Sequence, residues 1–417
     1  MKSMKKLMLV GLVLLASVIV LAGCQMEAEP ERPPKLESII ATSDTPIIYK
    51  KGDNVDSVLV LAYYDNGKSQ QVLGEIISES NFTETAGVTE ITVKYSEGGV
   101  EKSLTLKVGV IGEATYKFTE TPQKLSNYSS SSAPTTGSWT YVKFGDWPQT
   151  RKSDDVMVNT EIDLTRGGLD FSVGTDGNYY VKRDSDYYKV EPIEWRVLTE
   201  NYNSTGNALL LAEKILASYI SYYPVKNSTR THEGKTIYPN NYEHSQIRAY
   251  LNGLGYLYKA DDSSNQIEKT EYKNNGFLQS AFTATDAIQT TKVDNSADSA
   301  LYLYDSEANS EERKLLAQDY ASNTTNDKIF LLSRKEMSNS DYGFGDIQTS
   351  ISARIRVKTD YTANVYNGRW LQRSPSPVRP HYIYYNDEDG ESAWNLDCNI
   401  EYFGIVPALC VSASAIK

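Results

Sequence analysis

Cysteine is nearly missing from this chain: Cys24, Cys398 and Cys410 are the only three in 417 residues. So sparse a set excludes the disulfide framework of small secreted domains, and stability has to come from buried apolar cores. Histidine is as rare. His232, His244 and His381 form no H-x-x-x-H pair, which excludes a metalloprotease-type zinc site. No glycine-rich loop of the phosphate-cradling kind occurs. Positive charge is short as well, with 42 Lys and Arg against 54 Asp and Glu and no basic run in the body of the chain. An acidic surface repels nucleic-acid phosphates, so nucleic acid is not expected as a partner. Phenylalanine is scarce, 9 residues against 31 tyrosines. Tyrosine joins an apolar face to a hydroxyl and suits both strands and wet contact surfaces.

Long apolar runs are absent except at the start. Lys2, Lys5 and Lys6 precede the stretch Leu7 to Leu21, which ends in Leu21-Ala22-Gly23-Cys24. This pattern resembles a bacterial lipoprotein signal, and the run is short for a membrane span. The resemblance implies diacylglycerol on the Cys24 sulfur, cleavage after Gly23 and acylation of the new amine. Removal of residues 1–23 takes away three lysines and no acid, so the charge goes from −12 to −15. Two or three acyl chains on one residue anchor a protein stably. The expected location is the bacterial cell envelope, cell membrane or outer membrane, facing outside the cytoplasm. Residues 24–35, with Pro30, Pro33 and Pro34, read as a tether.

From Leu36 the pattern changes to short alternating segments. Ser57–Tyr63, Glu90–Tyr95 and Ser103–Val108 read as strands, separated by the turn clusters Asp65-Asn66-Gly67 and Glu97-Gly98-Gly99. Residues 36–112 resemble a bacterial immunoglobulin-like domain in the stretches Ile48–Asp53, Ala62–Gly67 and Thr85-Ala86-Gly87 leading into Ile91–Tyr95. That resemblance implies an all-β sandwich acting as a spacer. Residues 113–137, ending in a Ser/Thr/Pro-rich stretch, read as a flexible linker. The remainder, 138–417, reads as a larger α+β head. Its expected strands include Trp139–Phe144, Tyr179–Lys182, Ile193–Leu198, Ala208–Ala212 and Ala408–Val411. A helix is expected over His244–Lys259, where Ile247, Leu251, Leu254 and Tyr258 recur at helical spacing behind Ser245, and another over Glu311–Tyr320.

Six motifs in the head are similar to those of an uncharacterised family of bacterial extracytoplasmic domains. They stand here as Phe144–Gln149, Ile193–Leu198, Ser245–Asn252, Phe330–Ser333, Trp370–Pro375 and Gly404–Leu409. Gln372 interrupts the Trp-Leu-Arg-Ser pattern usual at the fifth, and Val406 replaces the arginine usual at the sixth. The motif style also resembles C-type-lectin-like folds, a likeness of fold alone.

No catalytic constellation emerges, so the chain is not expected to be an enzyme, and no cofactor or metal is expected. Asn386-Asp387-Glu388-Asp389-Gly390 lacks the first carboxylate of a calcium loop, because Tyr385 stands there. Leu396 interrupts the Trp-Asn-Asp calcium motif of lectins in Trp394-Asn395-Leu396-Asp397. Cys398 and Cys410 are too far apart for a copper pair of the formylglycine-generating type, though a disulfide between them is possible. What remains is a surface. Tyr382, Tyr384, Tyr385, Asn386, Trp394, Asn395, Asn399 and Tyr402 crowd into one turn-rich segment, and aromatic faces with amide edges contact sugars and proteins alike. The expected function is a lipid-anchored surface protein whose head binds an extracellular glycan or protein. A hydrolase with an unseen cleft and a purely structural envelope component are the alternatives.

Overall fold

The computed structural model describes residues 32–78, 81–126, 128, 139–300, 311–345 and 351–417. The signal segment, Cys24 with its expected lipid, most of the tether and the Ser/Thr/Pro part of the linker lie outside the described residues. Among the described residues no helix is long and apolar enough to cross a membrane.

The first unit is built of β1 (Leu36–Ile40), β2 (Ile48–Lys50), β3 (Ser57–Tyr64), β4 (Ser69–Ile76), β5 (Gly87–Glu97) and β6 (Val100–Ile111), joined in the order β1-β3-β4-β5-β6-β2. All pairings are antiparallel except β2 with β6. Strict alternation in β3 sends Val58, Val60, Ala62 and Tyr64 inward. There they meet Ile91 and Val93 of β5 and Leu106, Val108 and Val110 of β6 in one apolar core. Gly67, at φ +76°, takes the left-handed turn position between β3 and β4 that other residues avoid.

The second unit is organised on one long strand. After β7 (Gln123–Leu125) come β8 (Tyr141–Arg151), β9 (Leu164–Arg166), β10 (Leu169–Val173), β11 (Tyr179–Arg183), β12 (Asp186–Thr199) and β13 (Asn207–Ala212). β8 lies along one side of β12, while β11 and β13 follow each other along the other side. The sheet extends through β10 to β9 at one edge, and through Ala408–Ser412 to Ile288–Gln289 at the other. Leu209, Leu210 and Leu211 of β13 are fully buried, because this strand is covered on both faces. Two short helices, α1 (Gln246–Asn252) and α2 (Phe277–Ala281), pack beside β8 and Ile329–Phe330.

Several expectations need correction. α1 is seven residues long and does not run on to Lys259. Ser245 caps its start by accepting from the Arg248 amide, and Gly253, left-handed at φ +67°, ends it; Tyr256–Tyr258 is then a strand. The head is therefore more strand than helix. The linker expectation fails for residues 113–126. Thr115 and Tyr116 bond to the Gly177 carbonyl, β7 pairs with β8, and the Phe118 ring stacks on Tyr179 at 5.3 Å. Composition misled here because Tyr116 and Phe118 are few but each buries a large ring. Cys398 and Cys410 are buried free thiols rather than a disulfide. Cys410 is held in the terminal strand opposite Leu209, and Cys398 lies in the turn after Ser392–Asp397, bonded to the His381 carbonyl.

Candidate functional site

The eight expected contact residues do not form one face. Tyr382–Asn386 and Ser392–Asp397 are strands of a three-stranded sheet with Trp370–Pro375. Tyr384 is 2% exposed with the Arg334 guanidinium 4.2 Å over its ring, and Asn386 is fully buried, accepting from Gln372 Nε2 at 3.1 Å. Both point into the protein and are unavailable to a ligand. Tyr382 and the exposed Trp394 stay near each other, their ring centres 6.4 Å apart, with Asn395 exposed beside Trp394. Tyr385 packs edge-on against Phe403, and the exposed Tyr402 approaches Tyr366; Asn399 is half-buried. The two departures from the family motifs are both interior: Gln372 also donates to Ser392, and Val406 is wholly buried.

A different place gathers rings around a hollow. A cavity of 430 Å³ opens between the start of α2, the end of α1 and the β9–β10 hairpin. Tyr250 and Tyr272, 5.6 Å apart, line it together with Glu271. Tyr250 reaches the cavity from α1, whose Ile247 and Leu251 turn toward the core. The Tyr272 hydroxyl accepts from Gln246 Nε2 at 2.8 Å, and Glu271 accepts from the Tyr256 hydroxyl at 2.9 Å. Trp147, Tyr361 and Arg183 line it as well. Trp147 meets Tyr361 edge to face at 6.3 Å and donates from Nε1 to the Leu216 carbonyl at 2.5 Å. Arg183, at the end of β11, donates to the Tyr361 carbonyl at 2.6 Å and lies over the rings of Tyr361 (4.8 Å) and Tyr219 (5.1 Å).

Backbone geometry makes room for this arrangement. Gly276, at φ +113°, opens α2 where a Cβ would run into the Tyr250 carbonyl oxygen. Gly167, at φ +55°, turns the β9–β10 hairpin directly against the Ser280 backbone. The Ser218 hydroxyl is buried with no hydrogen-bond partner among the described residues, and its neighbour Tyr219 holds a left-handed φ of +64°. Such strain in a bulky residue concentrates at functional positions. Burial raises the hydroxyls of Tyr250, Tyr272 and Tyr361 above their usual range, so all three remain donors at neutral pH.

Chemically the cavity offers stacking faces, hydroxyl donors, one guanidinium and one carboxylate. Among the described lining residues Glu271 is the single acid, so no carboxylate pair faces across it. Among the described residues no group of three or more His, Cys, Asp or Glu is placed to hold a metal ion. A larger hollow of 900 Å³ lies between the first unit and the head, but no aromatic ring lines it. The rings of the smaller cavity come from sequence positions 147, 250, 272 and 361, which local density could not join. The Gly167-Gly168 pair and the Tyr-rich stretch Tyr219-Ile220-Ser221-Tyr222-Tyr223 were the available signals.

The class is thus a β-rich, multidomain protein with an aromatic-lined cavity in its larger unit. Residues 205–413 match the model of a family described as Domain of unknown function (DUF6273), and the chain belongs to that family. Neither the curated proteins nor the solved structures give a match. The matched region contributes Tyr250, Tyr272 and Tyr361 to the cavity, while Trp147 and Arg183 precede it.

Proposed function

We propose that the protein is a lipid-anchored component of the bacterial cell envelope, with an immunoglobulin-like spacer carrying a C-type-lectin-like head that binds an extracellular glycan without turning it over. The carrying observation is the cavity in which Tyr250, Tyr272, Tyr361 and Trp147 converge around one guanidinium and one carboxylate. Rings stack on the apolar faces of sugars, while hydroxyls and charged groups fix their polar edges. The cavity volume is in the range of small-ligand sites. The basic and then apolar start that ends in Leu21-Ala22-Gly23-Cys24 supports the anchor, and six strands around a single core support the spacer.

The glycan-binding site accordingly moves from the 382–402 segment to the cavity. Its test is a glycan array probed with the full chain in detergent, wild type against Tyr250→Ala and Tyr272→Ala. Loss of binding in both variants, with unchanged circular dichroism, is expected. Binding that survives both, or no glycan bound by wild type, overturns the reading. Capture of a protein partner unaffected by free sugar would favour protein recognition. Mass spectrometry of native material tests the anchor, which requires acylated Cys24 as the first residue.

A further inference from the structure

Several arginines of the head are matched to carboxylates. Arg196 pairs with Glu213, Arg248 with Asp327, Arg369 with Glu388 and Arg373 with Glu336. Arg183 is not. Among the described residues it makes no ion pair, although it is half-buried and lines the cavity. Its position is nonetheless held firmly, by the Tyr361 carbonyl and by the two flanking rings of Tyr361 and Tyr219. One of its five N–H donors is spent on that carbonyl. A planar guanidinium, fixed by stacking and left without an acid, is arranged for bidentate capture of a carboxylate. The same cavity is lined by Ser218, whose hydroxyl is buried and without a partner among the described residues, on a strained turn that also carries Tyr219.

Among the described lining residues Glu271 is the one acid that would oppose an anion. It precedes Tyr272 in the chain and already accepts from the Tyr256 hydroxyl. From there it can accept a hydroxyl of a ligand whose acidic end lies at Arg183. Glu271 thus accepts hydroxyls, while Arg183 offers a cation.

We infer that the cavity selects an acidic sugar, a pyranose bearing a carboxylate, with Arg183 as the carboxylate-binding residue and Ser218 as a supporting donor. This rests on the glycan reading above and narrows it. The net negative charge of the chain does not favour anions at long range, so selection has to come from this short-range contact.

The test measures binding of the full chain in detergent, by calorimetry and saturation-transfer NMR, to D-glucuronic acid, D-galacturonic acid and N-acetylneuraminic acid. The matched neutral probes are D-glucose and D-galactose, and each uronic acid is also offered as a short oligomer. A uronic acid is expected to bind at least about tenfold tighter than its neutral counterpart, in keeping with a charged hydrogen bond. Arg183→Gln should erase that preference, and Arg183→Lys should keep part of it. A preference for N-acetylneuraminic acid over both uronic acids would place the carboxylate on the anomeric carbon rather than on C6. Equal affinity for acidic and neutral sugars, or a preference that survives in a folded Arg183→Gln protein, overturns the inference and leaves glycan binding intact. Should no sugar of either kind bind, both readings fall together.

Discussion

Glu213→Gln is the sharpest probe of what holds the head together. Glu213 is wholly buried at the end of β13, and so are its partners. Arg196 Nε lies 2.7 Å from one carboxylate oxygen and Nη2 donates to the other at 2.9 Å, while an Arg356 nitrogen stands 3.9 Å away. One acid thus serves two guanidiniums. Burial, with the neighbouring Arg196 charge, pushes Arg356 down to about 9, and Glu213 opposes that shift. The amide of glutamine matches the carboxylate in volume, so no cavity opens and the change isolates charge. Removing one partner of a buried pair costs about 3–5 kcal/mol, and glutamine, which can still accept one hydrogen bond, belongs at the low end. At roughly 2–4 °C per kcal/mol for a domain of this size, the melting temperature should fall by about 6 °C or more.

The assay is differential scanning calorimetry of wild type and variant at pH 7. A second variant guards the argument: replacing Arg196, Glu213 and Arg356 together by Met, Leu and Met removes all three charges. Exchanging a whole buried ionic set for apolar residues is often neutral, so this triple variant should melt above Glu213→Gln despite carrying more changes. A shift of less than about 2 °C for Glu213→Gln, or a triple variant less stable than the single one, would falsify the account of Glu213 as counter-ion to two buried cations.

Three further outcomes are expected. His244 is pushed down to about 4 by burial, with His232, Arg230 and Arg248 adding like charge. The folded protein therefore binds fewer protons than the unfolded chain between pH 6.5 and about 4. Stability is lost as pH falls through that window, by roughly 3 kcal/mol at 1.36 kcal/mol per pH unit, and urea titrations of wild type and His244→Gln should diverge there and converge above pH 7. Cys398 and Cys410 are both pushed up to about 12 by burial, so iodoacetamide should modify neither in native protein at pH 8 and both after unfolding, without prior reduction. Detection of a disulfide-linked peptide would contradict this. A chain beginning at residue 138 should melt well below one beginning at 112, because Asp146 would lose the Tyr116 hydroxyl (2.6 Å) and both Thr119 donors (2.8 and 3.1 Å). Equal melting temperatures would show that the strap contributes nothing.

Legibility in the sequence followed physical locality. The alternation of Ser57–Tyr63 is a property of the segment itself, and β3 occupies it. The start of α1 was equally local, since Ser245 supplies its own cap; its end was missed because Gly253 weighed less than the apolar spacing of Leu254 and Tyr258. Orientation was the harder quantity. Tyr382, Tyr384 and Tyr385 look alike as neighbours in sequence, yet the strand turns Tyr384 inward beneath Arg334. Density of tyrosine could not reveal which rings face water, because that depends on what packs behind the strand.

The recognisable motifs and the cavity also divide the work between them. Trp195 donates to the Phe144 carbonyl at 2.7 Å, Arg196 pairs with Glu213, and Asn252 donates to the Ile329 carbonyl at 2.7 Å; each sits in a shared pattern and each ties one interior segment to another. Arg373, in the interrupted Trp-Leu-Gln-Arg-Ser stretch, pairs with Glu336 and donates to the Leu331 carbonyl at 2.7 Å. These residues define a frame. Trp147 and Tyr250 belong to motifs and also reach the cavity, so the frame fixes part of its lining. Arg183, Ser218, Glu271 and Tyr361 line the cavity from outside every motif stretch. The polar groups Arg183 and Glu271 are thus separate from the buried pairs of the frame. Exchanging Arg183 and Glu271 should therefore change which sugar binds while leaving the melting temperature within about 2 °C, since neither side chain is fully buried and surface-type changes are small. A collapse of the fold on that exchange would mean that these two polar groups are part of the frame after all.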